Sequence, residues 1–115
     1  MKRLSAVVLS LAVVTTAHAQ DVGVRIAGVG TLSCGEYIEL RETNNPAQNG
    51  VMVSWVWGYM GGFNMESRYP TTARTPDQPS TLSYIDKHCR DNPLDNVMHA
   101  TWALIKALGG RRNPR

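Results

Sequence analysis

The sequence predicts an all-α protein: a small four-helix bundle-like domain with one disulfide, preceded by an N-terminal signal peptide. Three observations indicate this fold class. Apolar residues recur at spacings of three and four in four segments, and no segment shows the apolar–polar alternation of a half-buried strand. The chain contains only two cysteines. Its first residues have the pattern of an export signal.

The predicted signal peptide covers residues 1–19. Lys2 and Arg3 precede an apolar run over residues 4–14, and Ala17 and Ala19 supply the small residues of a cleavage site. The alternative is an uncleaved membrane anchor, but the run is short for a hydrocarbon core of roughly 30 Å. We therefore expect an exported, periplasmic protein of 115 − 19 = 96 residues.

Removal of the signal changes the charge balance. The full chain has 12 basic and 9 acidic residues, and loss of Lys2 and Arg3 leaves 10 and 9, a net charge of about +1. Three of the remaining basic residues lie in the tail at 111–115. Because no element keeps a basic stripe, we expect neither nucleic acid nor, after cleavage, a membrane as a partner.

An extended arm is expected over residues 20–32, and a helical domain over residues 33–110. The first helix begins at Ser33, which forms a capping box with Glu36. The polar stretch TNNPAQNG follows it.

The second helix is expected from about Gln48 to Asn64, and it contains the stretch WVWGYMGG at residues 55–62. It is too short for a membrane span, and a helix that is apolar nearly all round is typically buried. We predict that this stretch supplies a packing or binding surface made of Trp55, Trp57, Gly58, Tyr59, Met60 and Gly62.

Small residues repeat every four positions in this helix, at Ser54, Gly58 and Gly62. Glycine in a helix interior costs roughly 1 kcal/mol relative to alanine, so its presence needs a reason. One interpretation is that the missing side chains let another backbone or a large ring approach closely. The other is that Gly61 and Gly62 end the helix as a cap.

A proline-rich loop is predicted at residues 66–79, followed by two more helices. The loop is either mobile or a binding element, or it is an ordinary surface loop without a function of its own. The third helix starts near Ser80 and directs Cys89 toward the core. Asn92 and Pro93 are predicted to start the fourth helix. Its apolar stripe consists of Leu94, Val97, Met98, Thr101, Trp102, Ile105 and Leu108, and Gly109 ends it.

Cys34 and Cys89 are expected to form a disulfide between the start of the first helix and the end of the third, because an exported chain reaches an oxidising space. Redox-active or metal-binding thiols are the alternative, but no C-x-x-C motif supports them.

Reactive groups are few. After removal of the signal only His88 and His99 remain as histidines, and three glutamates lie three residues apart on the first helix, where a solvated face is typical. We predict no catalytic residue, metal site or cofactor, and hence a binding protein and not an enzyme.

Three segments carry a family resemblance: SCGEYIEL, WVWGYMGGFN and LSYIDKHCRDNPLDNVMHATWAL. Together they resemble the HdeA-type periplasmic acid-stress chaperones. The resemblance implies one disulfide within the chain, between Cys34 and Cys89, and a helical homodimer that loosens in acid and holds unfolding protein clients. At pH near 2 the side-chain charge would rise from about +1 to about +12, which is compatible with such loosening.

The glycine-tyrosine helix and the Asn-Pro turn are also similar to the amidase-immunity proteins of type VI secretion. That resemblance implies a single protein target, with the loop at residues 66–79 as the inserting element. A structural envelope protein that only dimerises is a third hypothesis.

Overall fold

The computed structural model describes residues 26–114 and confirms the all-α fold class. After a short 3-10 turn at Gly28–Thr31, the described chain forms α1 (Cys34–Glu42), α2 (Pro46–Glu66), α3 (Gln78–Asp91) and α4 (Val97–Ala107). Within this range there is no strand, only an isolated antiparallel bridge between Ser33 and Asn96. The predicted signal peptide, the first part of the arm and Arg115 lie outside the described residues.

The start of α1 is the capping box that the sequence predicts. The hydroxyl of Ser33 accepts a hydrogen bond from the Glu36 backbone N–H at 3.2 Å, and the Glu36 carboxylate accepts one from the Ser33 N–H at 2.8 Å. The Glu36 carboxylate also accepts from the Ser33 hydroxyl at 2.9 Å. The hydrogen bond from the Ser33 N–H, and then the one from its hydroxyl, hold the pKa of Glu36 below its ordinary value because they favour the carboxylate.

Helix α2 is longer than predicted at both ends. It begins at Pro46, because Asn45 caps it by accepting from the N–H groups of Ala47 and Gln48, and proline is well suited to the first helical position. It continues to Glu66, so the interpretation that Gly61 and Gly62 end the helix is wrong.

The predicted starts of the last two helices are also corrected. Helix α3 begins at Gln78, where Asp77 accepts from the Ser80 N–H at 2.9 Å. Helix α4 begins at Val97 with Asn96 as its cap, and not at Pro93 with Asn92. Leu94, predicted to belong to the apolar stripe of α4, therefore lies in the preceding turn and is 102% exposed.

The disulfide is confirmed. Cys34 and Cys89 are both buried, and their sulfur atoms join the start of α1 to the end of α3. The bond closes a loop across a sequence separation of 55 residues, and the chain-entropy model gives such a loop about 4 kcal/mol of stabilisation.

One hydrophobic core lies between the four helices. Its buried residues are Cys34, Tyr37, Met52, Val53, Val56, Met60, Leu82, Ile85, Cys89, Val97, Ala100, Leu104 and Ile105. On α2 the apolar spacing of three and four residues predicts one stripe of Val53, Val56, Trp57 and Met60. Val53, Val56 and Met60 face the core, whereas Trp57 is 37% exposed at its margin. None of the helices within residues 26–114 has the length and hydropathy needed to cross a membrane.

Candidate binding surfaces

The six residues predicted as one surface on α2 lie on different sides of the helix. Met60 is only 2% exposed and belongs to the core, so it cannot contact a partner. Trp55 and Tyr59 are half-buried on one flank, and their rings stack with centroids 5.4 Å apart. Trp57 lies on the opposite flank and donates to the hydroxyl of Thr81 at 3.1 Å. Gly58 and Gly62 face outward.

Trp55 holds the segment that precedes α1. Its indole N–H donates to the carbonyl of Ala27 at 3.0 Å, and its ring covers Gly30. A Cβ at Gly30 would lie 2.1 Å from a ring carbon of Trp55, so only glycine leaves room for the ring. The close approach of a large ring to a glycine therefore exists in this fold, but at Gly30 and not in α2.

The glycines of α2 have no such neighbour. A Cβ placed at Gly50, Gly58, Gly61 or Gly62 would meet no atom within 4 Å. The interpretation that these positions admit another part of the same chain is thus wrong within the described residues. Their cost to the helix, roughly 1 kcal/mol each, is not offset by any contact with residues 26–114.

A groove with aromatic walls lies between α2 and α4. This aromatic groove, with a volume of about 430 Å³, is lined by Tyr59, Phe63, Met98 and Trp102, with Ile26 at one end. The rings of Phe63 and Trp102 meet edge to face at 5.2 Å. The sequence pattern places Met98 and Trp102 on the apolar stripe of α4, but it does not predict that they border an open groove with Phe63.

Polar groups form the rim of the aromatic groove. Glu66, Ser67, Arg112 and Asn113 lie around its mouth, and the guanidinium of Arg112 stacks 4.7 Å above the ring of Trp102. An apolar floor with a few polar groups at the edge is typical of sites that bind ligands or apolar side chains. The predicted basic tail is thus partly ordered against aromatic rings.

The long loop after α2 is fixed against the C-terminal end of α4. The N–H groups of Thr72 and Ala73 both donate to the carbonyl of Leu108, and the N–H of Arg111 donates to the carbonyl of Tyr69. These hydrogen bonds fix the segment from Tyr69 to Ala73, whereas Arg74 and Thr75 after it are exposed.

The turn between α3 and α4 is held by a single carboxylate. Asp95 contacts Nε2 of His88 at 2.8 Å and Nδ1 of His99 at 2.5 Å, and its backbone carbonyl accepts from the N–H of Cys34. Burial raises the pKa of Asp95, but the hydrogen bonds from the two histidines outweigh it, so the pKa lies below its ordinary value. Both histidines thus bind the carboxylate of the turn in which Leu94 is exposed.

No group of three or more histidine, cysteine, aspartate or glutamate side chains in residues 26–114 could hold a metal ion. Of the three glutamates on α1, Glu36 is hydrogen-bonded to Ser33 in the capping box, and Glu39 and Glu42 are exposed.

Comparisons of the chain with models of protein families, with curated proteins and with solved structures give no match.

Proposed function

We propose that this chain is a non-enzymatic periplasmic protein that holds unfolding polypeptides by binding their apolar side chains in the aromatic groove. The observation that carries the proposal is the groove itself, with Tyr59, Phe63, Met98 and Trp102 as its floor and walls. Aromatic rings and a methionine accept apolar side chains of different shapes, as suits a protein with many clients. The sequence resemblance to HdeA-type chaperones points to the same activity.

The chemistry at the groove supports binding in preference to catalysis. Among the described residues that line it, the charged ones are Glu66 and Arg112, and the Arg112 guanidinium is stacked on Trp102. The hydroxyl of Ser67 also lines the groove, but it donates to the carbonyl of Arg111 and accepts from the N–H of Tyr69. Nucleophilic catalysis instead needs the nucleophile to be hydrogen-bonded to a general base.

The test is suppression of client aggregation at pH 2–3 and at pH 7. We expect the protein to suppress aggregation at stoichiometric amounts, and Met98→Lys to abolish this by placing a charge in the groove at both pH values. Ala107→Lys is the matched control, because it adds the same charge at an exposed position of α4. Absence of suppression by the unmodified protein, or full suppression by Met98→Lys, would contradict the proposal.

A second candidate is an immunity-type inhibitor of a secreted cell-wall amidase or similar toxin. It is favoured by Leu94, which is fully exposed in a turn restrained by the Asp95 contacts and by the nearby disulfide at Cys89. A preorganised turn that presents one apolar side chain loses little conformational entropy on binding.

The two functions differ in the number of partners. In a pull-down from the periplasm, an inhibitor should retain one stoichiometric protein, and Leu94→Asp should lose it while Ser83→Asp, an exposed change on α3, should not. Many partners retained only in acid, and lost with Met98→Lys, would instead favour the chaperone.

A further inference from the structure

The outward face of α2 is an exposed apolar helix face without a partner in the described chain. It is centred on Ala47, Val51, Ser54, Gly58, Gly61 and Met65, all of them exposed. Val51 is 62% and Met65 86% exposed, and no charged residue occurs between Pro46 and Met65. The outward side of a helix in a small soluble domain is typically polar and charged, so this face is unusual.

The glycines leave space along this face. Because no atom of residues 26–114 lies within 4 Å of a Cβ built at Gly58, Gly61 or Gly62, a second backbone could come closer here than the usual 8–10 Å between helix axes. Gly30 and Gly110 differ, since the space beside each is already filled by side chains of the same chain.

The order of large and small residues reverses about the midpoint of the helix, Val56. If a second α2 lies antiparallel with its midpoint at the same level, Met65 of one copy is level with Ala47 of the other. Val51 is then level with Gly61, and Ser54 with Gly58. Each large outward residue therefore meets a small one.

An apolar concavity next to Ala47 completes this match. It has a volume of about 250 Å³ and is formed by Leu40, Ala47, Gln48, Val51 and Met52 where α1 meets α2. In the antiparallel arrangement the flexible side chain of Met65 from the second copy lies beside it. Because Met65 and Ala47 are 18 residues apart, the two identical contacts are about 27 Å apart along the helix.

We propose that two copies of this chain associate through the outward faces of their α2 helices, antiparallel, about a two-fold axis level with Val56. A two-fold interface places the same surface on both sides, so that surface must match itself. The reversed order of side-chain sizes and the paired Met65 contacts provide the match. The absence of charge from Pro46 to Met65 removes like-charge repulsion. This surface is separate from the aromatic groove and does not depend on client binding there.

Sedimentation equilibrium of the purified protein at pH 7 tests the association. At roughly 100 µM we expect the mass of a dimer, and Gly58→Glu should raise the dissociation constant by at least about 100-fold because two carboxylates meet near the axis. Gly58→Glu should fold normally, since no atom of the single chain occupies the space. Gly35→Glu, the same change at an exposed position of α1, should leave the dimer intact. A monomer at this concentration, or a dimer unaffected by Gly58→Glu, would overturn the proposal.

The register is tested by disulfide cross-linking between two variants. Ala47→Cys mixed with Met65→Cys should give covalent dimers within minutes of mild oxidation, because these positions are level across the interface. Each variant alone should stay uncross-linked, because its two copies of the new cysteine are about 27 Å apart. Cross-linking of either variant alone at the rate of the mixture, or none in the mixture, would overturn the antiparallel register. Met98→Lys should not change any of these results, which separates the dimer from the function of the groove.

Discussion

Asp86 is the residue at which three helices are tied together. Its carboxylate accepts hydrogen bonds from the hydroxyl of Tyr37 at 2.8 Å and from Nε and Nη2 of Arg41, each at 2.9 Å. Arg41 also donates to Asn49 of α2 at 2.7 Å. Burial, and then the hydrogen bond with Asp86, raise the pKa of Tyr37, so its hydroxyl stays protonated as a donor.

Removal of this carboxylate should be strongly destabilising. We expect Asp86→Ala to lower the free energy of unfolding by about 3–5 kcal/mol, because it leaves the mostly buried guanidinium of Arg41 without its partner. Asp91→Ala is the control, since it breaks an exposed ion pair with Lys87 and should change little. Urea unfolding followed by circular dichroism measures both, and equal losses for the two variants would refute the assigned role of Asp86.

Gly30 gives a second prediction at this scale. Gly30→Ala should lower the free energy of unfolding by about 1–3 kcal/mol, because its Cβ would overlap the ring of Trp55. Gly35→Ala adds the same methyl group to α1 where the nearest atom is 3.9 Å away, and it should be neutral or stabilising by up to about 1 kcal/mol. Thermal unfolding with tryptophan fluorescence distinguishes them, and a neutral Gly30→Ala would contradict the packing described.

Among the helices, the start of α1 is the one that the sequence predicts at the right residue, whereas the starts of α2 and α3, which nearby caps at Asn45 and Asp77 also determine, are each predicted two residues too late. The capping box of α1 needs only Ser33 and Glu36, and it is confirmed. The start of α4 depends on distant residues, because the N–H of Val97 donates to the carbonyl of Leu32 and the N–H of Cys34 to that of Asp95. These two bonds hold Asn96 in an extended conformation after the turn at residues 93–95, so the local Asn-Pro signal at Asn92 does not start the helix.

The two alternative starts of α4 can be compared by mutation. Asn96→Ala should lower the free energy of unfolding by about 1 kcal/mol, because its side chain accepts from the N–H of His99 at the first turn. Asn92→Ala should cost less, since its side chain makes a single exposed hydrogen bond to the carbonyl of His88. Urea titration of both variants is the measurement, and a larger loss for Asn92→Ala would favour the start predicted from the sequence.

Across the whole molecule, three carboxylates with lowered pKa values lie at the ends of helices. Glu36 caps α1, Asp77 caps α3 through its hydrogen bonds with Ser80, and Asp95 holds the turn before α4. A carboxylate whose pKa is lower in the folded state stabilises the fold above its ordinary pKa of 3.8 or 4.5. That stabilisation is lost as the pH falls through the lowered value.

The protein should therefore lose stability below about pH 4. We expect the midpoint of urea unfolding to be steady from pH 7 to pH 5 and to fall between pH 4 and pH 2. A variant with Glu36→Gln, Asp77→Asn and Asp95→Asn should start lower at pH 7 and change less with acid. A variant with Glu39→Gln, Glu42→Gln and Asp91→Asn removes the same charge from exposed positions and serves as control. An acid dependence that is the same in all three proteins would contradict this assignment.

Local patterns determine the helical class, the disulfide between Cys34 and Cys89 and the core faces of α2 and α4, because periodicity and cysteine count are properties of the chain itself. The tertiary structure alone decides that Trp57 lies at the margin of the core, that Leu94 is exposed and that Trp55 covers Gly30. It also brings Phe63 and Trp102 to one groove. These outcomes depend on contacts between segments far apart in sequence, and spacing along one helix carries no information about which neighbour fills the space beside it.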